Sequence, residues 1–368
     1  MRVGLVCPYS FEAPGGVQSH VLGLARYLIE HGHEPHILAP GELSGDAAEV
    51  LDADHFSTAG AAVPVRYNGS VARVNFGPLS AARVRRWLHE GRFDLLHLHE
   101  PITPSISLLA LWSAETPVVA TFHTATPRSR SMQLAGGVLR PMIEKIDAGI
   151  AVSDSARRVV VEHLGRDAVV IPNGIWVDEF GPPRPHPRRL VFLGRVDEPR
   201  KGLDVLLAAA PQIRSRVDGL EIVVAGQGNR ALPAYCTALG ALSDRAKADL
   251  LASAAVFVAP HLERESFGIV VVEAMASGAP VVASDIAPFA DLLGEVDAPA
   301  GRLFTAGDPT ALAEAVVQTL TSPGRGQAAA SRAIARRYDW LRVGAAVTHV
   351  YEATLAATGP AADLRGAS

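Results

Sequence analysis

Leu190-Val-Phe-Leu-Gly-Arg-Val-Asp-Glu-Pro-Arg-Lys-Gly-Leu203 begins just past the middle of a 368-residue chain. Its apolar run, Leu190–Leu193, reads as a buried strand. Gly194 ends the run, a charged loop follows, and an apolar-periodic helix starts at Leu203. The same order continues to the C-terminus, with strands at Leu190–Leu193, Glu221–Ala225, Val256–Ala259, Pro280–Ala283 and Gly301–Phe304. Helices run from Leu203, Asp244, Gly268 and Pro309. Short apolar runs alternating with amphipathic stretches are the pattern of parallel βαβ units.

The first half repeats this grammar. A strand at Arg2–Cys7 leads through Pro14-Gly15-Gly16 into a helix from Val17 to about Glu30, and a second strand covers about Pro35–Ala39. Val63–Arg66 and Val71–Phe76 flank Asn68-Gly69 as a hairpin insertion, and a helix near Leu79–Glu90 follows. Strands at Leu95–His99, Pro117–Thr121, Gly149–Val152 and Val169–Ile171 complete a first sheet. Phe180–Arg189 holds four prolines and few apolar residues, and reads as an interdomain linker. The expected fold is therefore α/β, with two Rossmann-like domains facing each other across a crevice. The expected boundaries are 1–180 and 181–340, with a last helix at 341–358 returning to the N-terminal domain.

A 48% apolar composition is enough for a core in each domain. A net charge of −4 gives no global pull toward nucleic acid. Cys7 and Cys236 stand in separate apolar contexts, so neither a disulfide framework nor a zinc site is expected. The N-terminus reads directly as a strand rather than a signal peptide, and no apolar run is long enough to span a bilayer. A cytoplasmic chain with at most peripheral membrane contact is the expectation.

The chemistry-bearing residues lie in the loops after strands. Gly15 and Gly16 open a helix whose free N–H groups and dipole suit an anion, although glycine serves a tight turn equally well. Arg195, Arg200 and Lys201 with Glu198 precede the helix at Leu203, a place where fixed cations can hold a diphosphate and stabilise a leaving nucleoside diphosphate. Lys201 is one of only three lysines in a chain with 34 basic residues. Glu265 lies before a helix and Glu273 about two turns inside it. Glu273 sits in an apolar run and needs a partner, which a ribose diol could supply. His123 follows a strand, and its alternatives are a crevice contact and a satisfied, partly buried histidine.

Taken together, these elements resemble the retaining GT-B glycosyltransferases of family 4 over nearly the whole chain. The Glu265/Glu273 pair, Gly194-Arg195, Lys201 and Pro172-Asn173-Gly174 carry that resemblance. Cys7-Pro8-Tyr9-Ser10-Phe11, Pro14–Val21, Tyr67–Arg73 and His99-Glu100-Pro101 are similar to one subfamily, the actinobacterial GDP-mannose-dependent phosphatidylinositol α-mannosyltransferases. The resemblance implies that Gly16, Arg195 and Lys201 hold the GDP phosphates, with Glu198 supporting that loop. Glu273 would take the ribose, and Glu265 with His123 the mannose. Phe267, Gly268 and Ile269 fall on the same donor side. Tyr9, Gln18, Asn68, Arg73, Thr126 and Arg128 would line the inositol-phosphate side. The resemblance further implies no metal or other cofactor, and peripheral association with the inner face of the cell membrane. Residues 226–243 make a compact unit for part of a guanine pocket, so the base is less firmly indicated than the diphosphate.

On a helical wheel of Leu79–Glu90, Leu79, Val84, Trp87 and Leu88 fall on one side and Arg83, Arg85 and Arg86 on the other. That pattern fits either a sheet-covering helix with a solvated basic face or a helix on an anionic lipid surface, with Trp87 near the apolar edge. The subfamily uses a basic stretch here for membrane association. Rival readings rest on less. Gly226-Gln-Gly228-Asn-Arg-Ala231 fits a relaxed dinucleotide fingerprint but lacks the strand-end acid. Asp52-Ala53-Asp54 has no strand leading into it, and His97, His99 and Glu100 suit packing or substrate as well as a metal. A nucleotide-sugar sensor would need the phosphate cations but not an acceptor wall. A family 4 transferase with another donor or acceptor remains the alternative within the enzyme class.

Overall fold

The structure is a computed structural model that describes residues 1–359 except 13–14, 44–45, 68–69, 125–135, 264, 295–299 and 323–325. It divides into two compact units, which exchange chain at Gly174/Ile175 and at Asp339/Trp340.

The first unit holds β1 (Arg2–Val6), α1 (Gly16–Glu30), β2 (Glu34–Ala39), α2 (Asp46–Val50), β3 (Phe56–Thr58), β4 (Val63–Tyr67) and β5 (Ser70–Val74). It continues with α3 (Pro78–Gly91), β6 (Leu95–His99), α4 (Ile106–Ser113), β7 (Val118–Phe122), α5 (Gly136–Ile143), β8 (Ala148–Ala151), α6 (Asp154–Leu164) and β9 (Val169–Val170). Seven parallel strands run in the order β3-β2-β1-β6-β7-β8-β9, and β4 with β5 forms a separate ribbon. The first strand lies inside the sheet, with β2 on one side and β6 on the other. Strand order reverses there, and in open α/β sheets ligands gather at that point, beyond the carboxyl ends of the strands.

The second unit holds β10 (Arg189–Leu193), α7 (Leu203–Arg214), β11 (Glu221–Ala225), β12 (Cys236–Gly240), α8 (Asp244–Ala252), β13 (Val256–Ala259) and α9 (Ile269–Ala276). After these come β14 (Val281–Ser284), α10 (Ala287–Gly294), β15 (Gly301–Phe304), α11 (Pro309–Thr321) and α12 (Gln327–Ala335). Its sheet runs β12-β11-β10-β13-β14-β15, so the reversal falls between β10 and β13. Leu190, Phe192, Leu206, Ile213, Ile222 and Val256 are fully buried at its core. Burying each such side chain contributes roughly 1.5–3 kcal/mol.

The last helix, α13 (Trp340–Thr358), belongs to the first unit. Its seat is specific. A Cβ added to Gly23 on α1 would lie 2.2 Å from Trp340 Nε1, and one added to Gly344 would lie 2.3 Å from Tyr27 Cγ. Each helix thus fits an aromatic ring of the other over a bare glycine.

Three sequence expectations change. The chain leaves the first unit at residue 174 rather than 180, because Ile175 already bridges to Asp339 and donates its N–H to Tyr338 O at 2.9 Å. The proline-rich stretch, expected as the interdomain linker, lies within the second unit, where Arg184 N bonds Ala252 O at 2.7 Å and His186 N bonds Ser253 O at 2.9 Å. Residues 226–243, where only Cys236 read as strand-like, include a strand, β12. It lies at the sheet edge with most of its residues exposed, which removes the apolar pattern that would have marked it.

Candidate active site

Adjacent strands bring the donor-side candidates together in the second unit. Gly194 and Arg195 follow β10, and a short 3₁₀ turn at Pro199–Lys201 leads into α7. Gly202 joins the two with φ of +70, where a Cβ would lie 1.7 Å from Pro260 O. That carbonyl belongs to the loop after the neighbouring β13, so glycine allows the two strand-end loops to touch. Leu262 N adds a backbone bond to Arg200 O at 2.8 Å.

The loops carry an interlocked charge cluster. Glu198, buried, lies 3.0 Å from Arg195 and 2.7 Å from Arg200 through its two oxygens. Glu265 Oε2 accepts from Lys201 Nζ at 2.8 Å and lies 3.8 Å from Arg200 and 2.9 Å from His261 Nδ1. Burial alone would raise the Glu265 pKa, but the Lys201 charge and its hydrogen bond overcome this and hold the carboxyl well below its usual range. Burial, reinforced by Lys201, lowers His261 to about 4, so that ring is neutral near pH 7. Three cations against two carboxylates leave the cluster net positive. An anion with several oxygens suits such a place.

Glu273 is buried on α9, as its apolar neighbours implied, but its partner belongs to the protein. Lys247 Nζ on α8 lies 2.7 Å from Glu273 Oε1 and 2.8 Å from Asp244 Oδ1. Burial opposes the charge on Lys247, yet the two carboxylates raise its pKa. The partner that this buried acid needs is thus supplied within the protein, and its burial by itself gives no argument for a ribose. Lysine rarity, which drew attention to Lys201, would also have marked Lys247. Phe267 is buried edge-on against Tyr338, with ring centroids 5.4 Å apart. With Gly268 at φ +93 capping α9, Phe267, Gly268 and Ile269 offer a ligand backbone rather than the Phe267 ring.

In the first unit the strand ends hold a histidine stack. His99 ends β6, His123 follows β7, and His20 comes from the buried face of α1. His99 Nδ1 and His123 Nε2 are 3.0 Å apart, and the His20 ring centroid is 5.0 Å from His123 and 5.1 Å from Trp340. Behind them, His97 Nδ1 meets Tyr351 Oη on α13 at 2.6 Å, and Nε2 meets Thr121 Oγ1 at 2.6 Å. Desolvation lowers all four rings, His20 and His97 to about 3 and the other two well below the usual value, so all are neutral near pH 7. His20, His99 and His123 offer ring nitrogens within 4.8 Å of one another, a group able to hold a cation. Two of those rings already bond each other.

Glu100, at φ +50, accepts His123 N at 2.7 Å and Thr124 Oγ1 at 2.9 Å. Those bonds offset the strain of a left-handed non-glycine residue. The sequence named His123 as a sugar contact and His97 and His99 only as packing, substrate or metal candidates. The period-2 spacing of His97 and His99 on one strand was the available signal for the stack, and Tyr351 gave none.

Acceptor-side candidates gather around the loop after β1. Gln18 is buried and donates to Ser10 O at 3.1 Å, and Ser10 N donates to Arg73 O at 3.0 Å. Arg73 extends to Glu12 Oε2 at 3.2 Å, and half-buried Tyr9 lies in the same loop. Gly16 is exposed in the first turn of α1. Asn68, Thr126 and Arg128 lie outside the described residues.

On α3, Arg85 and Arg86 are exposed, while Arg83 Nη1 bonds Ala59 O at 3.2 Å. The assignment of Trp87 to a membrane edge is corrected. It is 7% exposed, packed on Phe93 with centroids 4.4 Å apart and over Gly4 of β1. The apolar residue that α3 does expose is Leu79, at 77%. Among the described residues no helix is long and apolar enough to cross a membrane.

Residues 14–179 match the glycosyltransferase family 4 model, and residues 187–322 match that of glycosyl transferases group 1. The phosphatidyl-myo-inositol mannosyltransferase of Mycolicibacterium smegmatis is 47% identical over all of this chain and 97% of its own length. That of Propionibacterium freudenreichii is 45% identical over 95% of this chain and 94% of its own. The chain belongs to the phosphatidyl-myo-inositol mannosyltransferase family. It is a glycosyltransferase. Solved structures agree on the fold. Anabaena HepE, determined with UDP and glucose, superposes with a TM-score of 0.74 at 19% identity, covering 96% of this chain and all of HepE. A Rickettsia africae glycosyltransferase gives 0.73 at 18% identity, covering 96% of this chain and 98% of its own. Both units are thus the parallel α/β domains of a GT-B glycosyltransferase, as the family resemblance implied.

Proposed function

We propose that this glycosyltransferase moves mannose, with retention of configuration, from GDP-mannose to the inositol ring of phosphatidylinositol. In this reading it acts at the inner face of the cell membrane, in the first step of phosphatidylinositol mannoside synthesis. The observation that carries the reading is the net-positive Arg195–Glu198–Arg200–Lys201–Glu265 cluster at the switch point of the second sheet. Mannose and phosphatidylinositol enter from the names of relatives nearly half identical over full length.

Arg195 and Lys201 hold the donor diphosphate. As the glycosidic bond breaks, charge grows on the leaving phosphate, and cations already fixed by Glu198 and Glu265 stabilise it without reorganising. In this reading Gly16 offers the first-turn amides of α1 to a donor phosphate. Glu265, kept ionised, accepts from sugar hydroxyls, and neutral His123 hydrogen-bonds the mannose. Glu273 takes the ribose through the carboxylate that Lys247 orients. Tyr9, Gln18, Asn68, Arg73, Thr126 and Arg128 form the acceptor side. No protein nucleophile is assigned, because the reading follows a front-face path through an oxocarbenium-like state in which donor phosphate assists deprotonation of the acceptor. No metal is assigned either, Arg195 and Lys201 supplying the neutralising charge.

The test crosses GDP-mannose, UDP-sugars and ADP-sugars with phosphatidylinositol and soluble polyols. Mannosylated phosphatidylinositol from GDP-mannose alone, its new linkage of α configuration, is the expected product. Faster transfer from another nucleotide-sugar, or to a polyol alone, refutes the assignment.

A further inference from the structure

We propose that His99 is a positioning residue that fixes the tautomer of His123, so that His123 presents a neutral Nδ1–H as a hydrogen-bond donor to the donor sugar. The inference rests on the reading of His123 as a sugar contact. It starts from the 3.0 Å approach of His99 Nδ1 to His123 Nε2. Both rings are buried, and neighbouring histidines disfavour a charge on either, so one proton lies between two neutral rings and one nitrogen must donate.

The surroundings of His99 choose which. Its other nitrogen, Nε2, is buried with no hydrogen-bond partner among the described residues. Were the proton on Nε2, a buried N–H would be orphaned. With the proton on Nδ1, only a lone pair is unmatched, the less costly defect. His99 Nδ1–H therefore donates to His123 Nε2, and His123, being neutral, carries its own proton on Nδ1. The neighbouring residue completes the hold, because the Glu100 carboxylate accepts the backbone N–H of His123 at 2.7 Å. Consecutive residues of one strand end thus set the backbone of His123 and, together with the Asn173 side chain that also reaches it, the ring. His97, clamped at 2.6 Å by both Tyr351 and Thr121, packs against the His99 ring with centroids 4.4 Å apart and limits its rotation.

Asn places an amide near the Nδ1 position of histidine, so His99→Asn keeps a donor toward His123, while His99→Phe keeps an aromatic ring and loses it. His99→Phe should lower kcat about tenfold or more, the scale seen when an orienting hydrogen bond is removed, with KM for GDP-mannose little changed. His99→Asn should recover most of that loss. Equal kcat in parent and His99→Phe, or equal loss in both variants, overturns the proposal. His123→Ala is measured alongside. If it keeps parental turnover, the reading of His123 itself fails, whereas a loss there with none in His99→Phe refutes only the positioning role. Should His99→Phe not fold, imidazole ¹⁵N spectra of the parent protein decide. They should show His123 protonated at Nδ1 and bare at Nε2, and the reverse pattern overturns the proposal.

Discussion

Four buried histidines meet in the first unit, and their neutrality has a consequence for stability. Desolvation places their folded-state pKa values below the ordinary 6.5, to about 3 for His20 and His97. The unfolded chain therefore binds more protons than the folded one once pH falls below 6.5. Stability is fully present above the unfolded value and is lost progressively as pH drops from there toward the folded values. Each group costs roughly 1.4 kcal/mol per pH unit in that window, so going from about pH 7.5 to about pH 5.5 should remove some 5 kcal/mol. Denaturant unfolding at a series of pH values checks this. A variant with His20, His97 and His99 replaced by apolar residues should show a much flatter profile, and an equally steep one would mean that carboxylates cause the loss. At this scale the sequence was legible where a residue type was out of place, as with Lys201 and Glu273. It was silent where chemistry depends on partners distant in the chain, such as His97 with Tyr351 or Glu273 with Lys247.

Among the elements, α3 shows what a helical wheel can and cannot decide. Periodicity separated its basic side from its apolar side, but not the membrane from the protein's own sheet as the apolar partner. Trp87 went to the sheet because Gly4 of β1 leaves room beneath it. The three arginines divide likewise. All three are exposed, but Arg83 is tied to Ala59 O. Replacing Arg85 and Arg86 with Ser should weaken binding to phosphatidylinositol vesicles by about 2 kcal/mol, near thirtyfold, at the usual worth of a basic side chain at such a surface. GDP affinity should not change. Arg83→Ser should act mainly on thermal stability. Vesicle sedimentation in which the Arg85/Arg86 variant matches the parent rules out the membrane role of α3. Strand legibility followed apolar runs: buried β11 and β13, half-exposed β15 and exposed β9 fall where such runs placed them, while exposed β12 and the three-residue β3 left no run to read.

For the whole molecule, the repeated strand–loop–helix grammar was enough to imply two parallel sheets, because burial on both faces forces continuous apolar strands. It did not give strand order, and order is what brings the loops after β10 and β13 together and seats His123 beside His99. The account depends most on the claim that fixed cations in the second unit anchor a sugar-linked diphosphate. Calorimetric titration of GDP into an Arg195→Ala/Lys201→Ala variant, with thermal unfolding to confirm its fold, tests that claim most directly. Two charge-assisted hydrogen bonds contribute about 3 kcal/mol or more, so GDP affinity should fall at least about a hundredfold and transfer with it. A folded double variant that binds GDP as tightly as its parent and turns over at the same rate would contradict the account.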